Sequence, residues 1–178
     1  MIKNFILLVI VFFIALIVCK NCYANDTFYG VGVWGGEQCR SASFIHVSES
    51  YDWTEIQVRP VYGWHLDNRW DAWLEGEIGY IQWNEGSGYK LGVMVLTGYD
   101  VIKGNNWSLF GEVGVGLGYN SYSPSRNTLG NNPTGLIDVG IGVEYKNIRL
   151  GPRFHHTSSF FGHDAGINTF GTMLTVRF

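Results

Sequence analysis

The sequence is poor in charge, in proline and in cysteine. Only 15% of its 178 residues are charged, and it contains 4 prolines and 3 cysteines. Its 12 basic residues do not outnumber its 15 acidic ones, which argues against a nucleic-acid-binding protein. The uncharged apolar run at residues 5–18 is shorter than a membrane-spanning helix requires. Glycine is abundant instead, with 24 residues, and aromatic residues make up 16% of the chain, a composition that favours an all-β protein.

The apolar run near the N-terminus predicts a signal peptide. Lys3 precedes the run, and Cys22-Tyr23-Ala24 follows it, with small residues at the two positions that a signal peptidase reads. We therefore predict cleavage after Ala24. Residues 1–24 are then the signal peptide, and residues 25–178 form a single β-barrel domain.

Two other interpretations of this segment fit less well. A lipoprotein needs a small residue before the modified cysteine, whereas Val18 precedes Cys19 and Asn21 precedes Cys22. A membrane anchor would need a longer apolar run. Once the signal peptide is removed, Cys39 has no partner within the chain, so disulfides do not stabilise the predicted domain.

The rest of the chain alternates apolar residues with small or polar ones. In residues 107–120 one series is Trp, Leu, Gly, Val, Val, Leu and Tyr, and the other includes Ser, Glu, Asn and three glycines. Successive side chains of a β-strand point to opposite faces, so this pattern predicts a strand with one apolar face. Eight segments are predicted as strands: 28–34, 54–66, 70–82, 89–101, 107–120, 137–146, 148–158 and 167–178.

The distribution of charge predicts which face of these strands meets lipid. The apolar faces contain no charged residue, whereas the opposite faces carry acids, bases and glycines. A soluble barrel would bury its apolar faces. The predicted signal peptide, aromatic residues at strand ends such as Trp107 and Tyr119, and the C-terminal Phe178 favour an eight-stranded antiparallel outer-membrane β-barrel. Because side chains fill the interior of an eight-stranded barrel, we expect the inward charges to pair with one another.

The connections between strands predict the orientation of the barrel. Those at 67–68, 103–106 and 146–147 are short, and the alternate ones are mostly longer. In outer-membrane barrels short turns face the periplasm and long loops face outward. Strand seven is therefore expected to end at the cell surface.

The end of strand seven breaks the apolar pattern. Up to Phe154 its outward positions are apolar, but continued alternation places His156 and Ser158 on the lipid side, and Asn168 of strand eight lies on that side too. A serine near a histidine is the minimum for an activated oxygen nucleophile, with a third group orienting the imidazole. The alternative is that the strand leaves the hydrocarbon at Phe154 and these residues are ordinary interfacial polar groups.

The same residues carry a family resemblance. Residues 151–159, Gly-Pro-Arg-Phe-His-His-Thr-Ser-Ser, followed by Gly-Ile-Asn at 166–168 and a strand ending in Arg177-Phe178, resemble the lipid A 3-O-deacylase (PagL) family. The resemblance implies an eight-stranded outer-membrane barrel with a His-x-Ser motif and a serine-hydrolase triad on its lipid-facing exterior. It further implies that His156 is the general base and Ser158 the nucleophile.

Two positions depart from the family pattern. The orienting acid, a glutamate in the family, falls on Asn168, which can orient the imidazole but supplies no negative charge. Asp164 is the alternative third member of the triad. Ser159 stands where the family has an asparagine linked with the oxyanion hole, and its hydroxyl or backbone N–H groups near Gly162 are the candidate donors.

Two functions of different classes follow. The first is a serine esterase of the bacterial outer membrane that removes an ester-linked acyl chain from lipid A of lipopolysaccharide, with the 3-O position implied by the resemblance. The second is a non-enzymatic surface barrel that acts through residues 35–52 and 120–134 in adhesion or membrane integrity. Neither function requires a cofactor or a nucleic-acid partner.

The histidines of this region allow one further interpretation. His155, His156 and His163 are potential metal ligands, but they lack regular ligand spacing, and we predict no metal ion. His155 has the inward phase of strand seven. We therefore expect it to be packed or hydrogen-bonded inside the barrel.

Overall fold

The computed structural model describes residues 26–38, 54–84, 86–121, 133–159 and 167–178. These residues form a closed antiparallel barrel, which confirms the predicted fold class. Its eight strands are β1 (Asp26–Gln38), β2 (Thr54–His65), β3 (Trp70–Trp83), β4 (Gly86–Lys103), β5 (Trp107–Asn120), β6 (Thr134–Tyr145), β7 (Ile148–Ser159) and β8 (Ile167–Arg177). The described residues include no helix that is long and apolar enough to cross a membrane. The predicted signal peptide, residues 1–24, and Cys39 lie outside them.

Strand bounds agree with the predicted ones to within three residues, except that β1, predicted at 28–34, continues to Gln38 because the backbone of Gly35 and Gly36 goes on pairing with β2 and β8. β5 spans residues 107–120 as predicted, whereas β4 begins and ends beyond the predicted 89–101. A β-bulge between Asp100 and Ile102 interrupts the pairing of β4 with β5. Because the bulge inserts an extra residue, Val101 and Ile102 are both exposed, and the alternation stops before the strand does.

The barrel carries its apolar side chains on the outside. Tyr29, Ile78 and Ile141 are typical, with 58–63% of their surface exposed. Charged residues such as Arg59 and Lys90 are fully buried in the lumen. This distribution is the reverse of that in a soluble protein and matches a barrel surrounded by hydrocarbon.

Ion pairs in the middle of the lumen neutralise the buried charge. Arg59 Nη1 lies 2.6 Å from both Glu75 Oε1 and Asp138 Oδ2. Arg153 Nη1 contacts the same two carboxylates at 2.6 and 3.2 Å, and its Nη2 lies 2.5 Å from Glu112. The expectation that the inward charges pair with one another is confirmed. Such pairing is required because an unpaired buried charge is strongly unfavourable.

A second group of ion pairs lies nearer the short turns. Arg149 and Arg177 lie 2.8 and 2.7 Å from Asp71, and both contact Glu144. The guanidinium of Arg177 also stacks over the ring of Phe28, 4.6 Å from its centroid. Six buried apolar side chains pack together in the same interior: Phe28, Val61, Trp73, Met94, Leu96 and Leu136. The lumen is thus packed with side chains, as expected for eight strands.

The two ends of the barrel differ in their connections. The turns 66–69, 104–106 and 146–147 join strands at one end, and the turn at 146–147 uses a positive φ of 56° at Lys146. Connections of up to fifteen residues join strands at the other end, which we call the long-loop end. β7 runs toward the long-loop end and β8 starts there, so the last residues of β7 meet the first residues of β8.

Candidate active site

His156 and Asn168 are direct neighbours across the β7–β8 ladder at the long-loop end. His156 Nδ1 lies 2.7 Å from Asn168 Oδ1. An amide oxygen only accepts hydrogen bonds, so Nδ1 carries the hydrogen and donates it. The other ring nitrogen, Nε2, is then the unprotonated one and can accept a proton. The structure therefore brings together two of the three predicted site residues, in the arrangement that a general base requires.

This pair is buried although it lies on the outward face of the barrel. Asn168 is 0% exposed and His156 is 4% exposed, whereas Phe170, next on the same face of β8, is 55% exposed. Polar groups in such surroundings are stabilised by the hydrogen bond between them. Asn168 Nδ2 has no hydrogen-bond partner among the residues that the structure describes. The imidazole is thus held in one orientation and shielded from water.

Ser158 follows His156 on the same face of β7. The two residues are two positions apart in a strand, so their Cα atoms are separated by about 6.4–6.8 Å along it. The Ser158 side chain is half-buried. In the part of the chain that the structure describes, no hydrogen bond joins Ser158 to His156. Such bonds are often long in enzymes without substrate and tighten when it binds.

Inward-pointing neighbours of the site anchor its two strands to the lumen. His155 Nδ1 donates to Asp138, and its Nε2 accepts from Lys90. Lys90 Nζ also donates to Thr157 Oγ1 at 2.9 Å, and Thr169 Oγ1 donates to the His155 carbonyl oxygen at 3.2 Å. The inward position of His155 is as predicted. Sequence reasoning missed Lys90, Thr157 and Thr169, whose only signal was a polar side chain at an inward position.

The remaining sequence-based candidates are Ser159, Gly162, His163 and Asp164. Gly162, His163 and Asp164 lie outside the described residues. Ser159 is the last residue of β7. The predicted oxyanion donors and the alternative acid Asp164 therefore stay predictions.

One grouping in the described part of the lumen has the composition of a metal site. Glu77, Asp138 and His155 bring potential ligand atoms within 4.8 Å of one another. Both carboxylates already contact the guanidinium of Arg59, at 2.8 Å for Glu77 and 2.6 Å for Asp138. The guanidinium supplies the positive charge that a metal ion would bring and would repel one. We therefore assign this grouping to the ion-pair network of the lumen.

Comparison with known proteins gives a family match over most of the chain. The family model described as lipid A 3-O-deacylase (PagL) matches residues 50–177. That range includes β2 to β8 and therefore His156, Ser158 and Asn168. No curated protein matches the chain in sequence.

Solved outer-membrane proteins share the fold. The crystal structure of the outer membrane enzyme PagL superposes with a TM-score of 0.59 and 16% identity, covering 83% of this chain and 98% of that one. Neisserial surface protein A superposes with a TM-score of 0.55 and 12% identity, covering 87% of this chain and 99% of that one. At these identities the similarity shows a common barrel architecture.

Proposed function

Since the chain belongs to the lipid A 3-O-deacylase (PagL) family, we propose that it is a serine esterase that removes the 3-O-linked acyl chain of lipid A. Its place is the outer membrane, where the proteins that share its barrel are found. The observation that carries the proposal is the buried hydrogen bond between His156 and Asn168 on the outward face of the barrel, with Ser158 on the same face. In this position a nucleophile can reach a lipid without taking it out of the membrane.

The proposed reaction follows the serine-hydrolase sequence. Ser158 Oγ attacks the ester carbonyl while His156 Nε2 takes the hydroxyl proton. The tetrahedral intermediate collapses, the C–O bond to the sugar breaks, and His156 returns the proton to the departing sugar oxygen. A water molecule then attacks the acyl-enzyme, with His156 again as base, and the fatty acid leaves. Asn168 holds the imidazole in the required orientation throughout.

The alternative, a non-enzymatic surface barrel, is compatible with the fold but does not account for the buried polar pair on the outward face. Neisserial surface protein A shares the architecture, so the barrel does not discriminate between the two functions. A surface barrel acting through residues 35–52 and 120–134 has no need of a buried imidazole on its outward face. Polar groups at such a position are unfavourable unless they are hydrogen-bonded, and apolar side chains there would remove that requirement.

Incubation of the purified protein with lipopolysaccharide tests the proposed function. We expect the mass of lipid A to fall by one ester-linked acyl chain and the matching fatty acid to appear. Tandem mass spectrometry then identifies the position that lost the chain. Release from another ester position would retain the esterase and contradict the 3-O assignment. Unchanged lipid A would contradict the proposed esterase activity and favour the non-enzymatic surface barrel.

Insertion of a peptide tag tests the orientation. Because the longer connections are predicted to face outward, a tag after Asn127, between β5 and β6, should be labelled by antibody on intact cells. A tag after Asn105, between β4 and β5, should be labelled only after the outer membrane is permeabilised. The opposite pattern would move His156 and Ser158 away from the outer leaflet.

Substitution of Asn168 tests the third member of the site. Asn168→Ala removes the acceptor of the His156 hydrogen bond, so we expect deacylation to fall about tenfold or more, which corresponds to roughly 1.4 kcal/mol of activation free energy. Asn168→Glu restores an acceptor and adds a negative charge that stabilises the imidazolium, so we expect equal or higher activity. Initial rates of fatty-acid release measure both effects.

Asp164→Ala is the matched variant for the Asn168 series. If Asn168 is the third member, Asp164→Ala should retain activity. Parent activity in Asn168→Ala together with loss in Asp164→Ala would assign the role to Asp164. If neither change matters in an active enzyme, His156 acts without a side-chain partner.

A further inference from the structure

Thr157 is the single residue between the proposed base and the proposed nucleophile. His156 and Ser158 share the outward face of β7, whereas Thr157 points into the lumen and is buried there. Proton transfer requires Ser158 Oγ and His156 Nε2 to come within about 2.6–3.2 Å of each other. Their Cα atoms are about 6.4–6.8 Å apart along an extended strand. The backbone conformation at Thr157, together with the side-chain rotamers, therefore sets the distance between the two reacting atoms.

A buried lysine holds Thr157 from inside the barrel. Lys90 Nζ donates to Thr157 Oγ1 at 2.9 Å and also donates to Nε2 of His155. Thr157 Oγ1 lies 3.2 Å from the same His155 nitrogen, so the three polar atoms are mutual neighbours. The Lys90 side chain is fully buried. One ammonium group of β4 thus binds both sequence neighbours of His156.

Carboxylates of three further strands hold this ammonium group and the histidine. Glu55 of β2 and Glu77 of β3 lie 3.8 and 3.6 Å from Lys90 Nζ, and Asp138 of β6 accepts a hydrogen bond from His155 Nδ1. All three carboxylates are buried. Movement of the ammonium group would leave buried charge uncompensated, which is strongly unfavourable. Thr157 is therefore attached to a firmly held part of the lumen.

The contact with Lys90 lies where one of the two ladders beside the site ends. Among the described residues, the last pair between β7 and β8 joins Thr157 to Ile167. On the β6 side the pairing continues, with Gly135 opposite Ser158. Backbone with fewer contacts opens more easily than backbone in the middle of a sheet. The Thr157 side chain thus restrains β7 from the lumen at the position where its described pairing with β8 stops.

From these contacts we infer that Lys90 and Thr157 are positioning residues of the proposed esterase. The hydrogen bond between them fixes the backbone of Thr157 and thereby the approach of Ser158 to His156. Both side chains lie in the lumen, so neither touches the lipid substrate. This inference rests on the proposed function and deepens it, because it names two residues inside the barrel on which the reaction outside it depends.

Lys90→Met tests the inference by removing the ammonium group. We expect kcat for lipid A deacylation to fall about tenfold to a hundredfold, since misplacement of reacting groups by about 1 Å has effects of this size. KM for lipopolysaccharide should stay at the parent value, because the lumen does not contact the lipid. Labelling by a fluorophosphonate, in which Ser158 Oγ displaces fluoride from phosphorus, should slow by the same factor.

Thr157→Val and Thr157→Ser isolate the hydrogen bond and provide the test if Lys90→Met does not fold. Valine keeps the branched shape of threonine and lacks the hydroxyl, so kcat should fall about tenfold, the lower end of the same range. Serine keeps the hydroxyl that accepts from Lys90, so Thr157→Ser should deacylate lipid A at close to the parent rate. A loss that follows the hydroxyl and not the side-chain volume supports the positioning role.

Arg149→Met is the matched control on the same strand. Arg149 also points into the lumen, is buried and pairs with two carboxylates, Asp71 and Glu144, but it lies at the short-turn end of β7. Its removal should lower the stability of the barrel, as removal of Lys90 does. The kcat per folded molecule should stay at the parent value, with the folded fraction measured by circular dichroism in the assay micelles.

The outcomes separate the positioning role from the proposed function. Parent kcat in Lys90→Met and Thr157→Val, in a protein that deacylates lipid A, would overturn the positioning role and leave the esterase in place. Equal losses of kcat in Lys90→Met and Arg149→Met, or in Thr157→Val and Thr157→Ser, would also overturn it. A parent protein that neither deacylates lipid A nor reacts with the fluorophosphonate would contradict the proposed function and the positioning role together.

Discussion

Ser158→Ala and His156→Ala are each expected to abolish most lipid A deacylation while leaving a folded barrel. The first variant removes the attacking oxygen and the second removes the group that accepts its proton, so either loss stops formation of the acyl-enzyme. Residues that act as a unit are not additive, and the double variant should be barely less active than either single one. Fatty-acid release from lipopolysaccharide at equal concentrations of folded protein measures all three.

Ser87→Ala is a suitable control for these variants. Ser87 is exposed on β4, whose start lies at the same end of the barrel as the site, and it should be replaceable without loss of activity. Full activity in Ser158→Ala would end the serine-esterase proposal. If the fold-losses of activity in the two single variants multiply in the double variant, the two residues act independently.

The second large effect is expected on stability. Arg153→Met removes a guanidinium that is 2% exposed and that contacts Glu75, Glu112 and Asp138 at 2.5–3.2 Å. Removing one partner of a buried ion pair typically costs about 3–5 kcal/mol, because the remaining charge is left without compensation. We expect a decrease of that order in the free energy of unfolding, measured by urea titration of the barrel in lipid vesicles.

Lys103→Met provides the contrast between a buried and an exposed ion pair. Lys103 Nζ lies 3.5 Å from Asp100, but the lysine side chain is 48% exposed. Exposed pairs contribute about 0–1 kcal/mol, so the free energy of unfolding of this variant should be almost that of the parent.

Adding Glu112→Gln to Arg153→Met should recover part of the lost stability, since one uncompensated carboxylate disappears. Equal stabilities of Arg153→Met and Lys103→Met would contradict a structural role for the lumen network.

The ion-pair network of the lumen also holds the strand that carries His156 and Ser158. His155 and Thr157 alternate with His156 and Ser158 along β7 and point to the opposite face. Their hydrogen bonds to Asp138 and Lys90 hold the strand from the lumen side. The outward residues therefore rest on a strand whose inward side is anchored by charged groups. Sequence reasoning predicted the inward phase of His155 but had no means of identifying its partners.

The architecture was predictable because it depends on local alternation. Each strand with a period of two reveals its apolar face by itself, and eight such segments were enough to predict the closed barrel. The exceptions were local as well. At the bulge between Asp100 and Ile102 an inserted residue broke the alternation, and the predicted strand ended too early.

The face of each strand residue follows from sequence alternation: His156 and Ser158 share a face because they are two residues apart in a strand, and counting back from Phe178 puts Asn168 on the same side. Which outward residues become neighbours depends on the pairing of the strands in three dimensions. A slip of two residues between β7 and β8 would keep every side chain on its face, yet it would place Phe170 opposite His156 in place of Asn168. Strand pairing also decides that Gly135 lies opposite Ser158, and that Arg59 contacts Asp138, 79 positions away in the chain. Register depends on turn geometry and on closure of the whole sheet, which no single strand encodes.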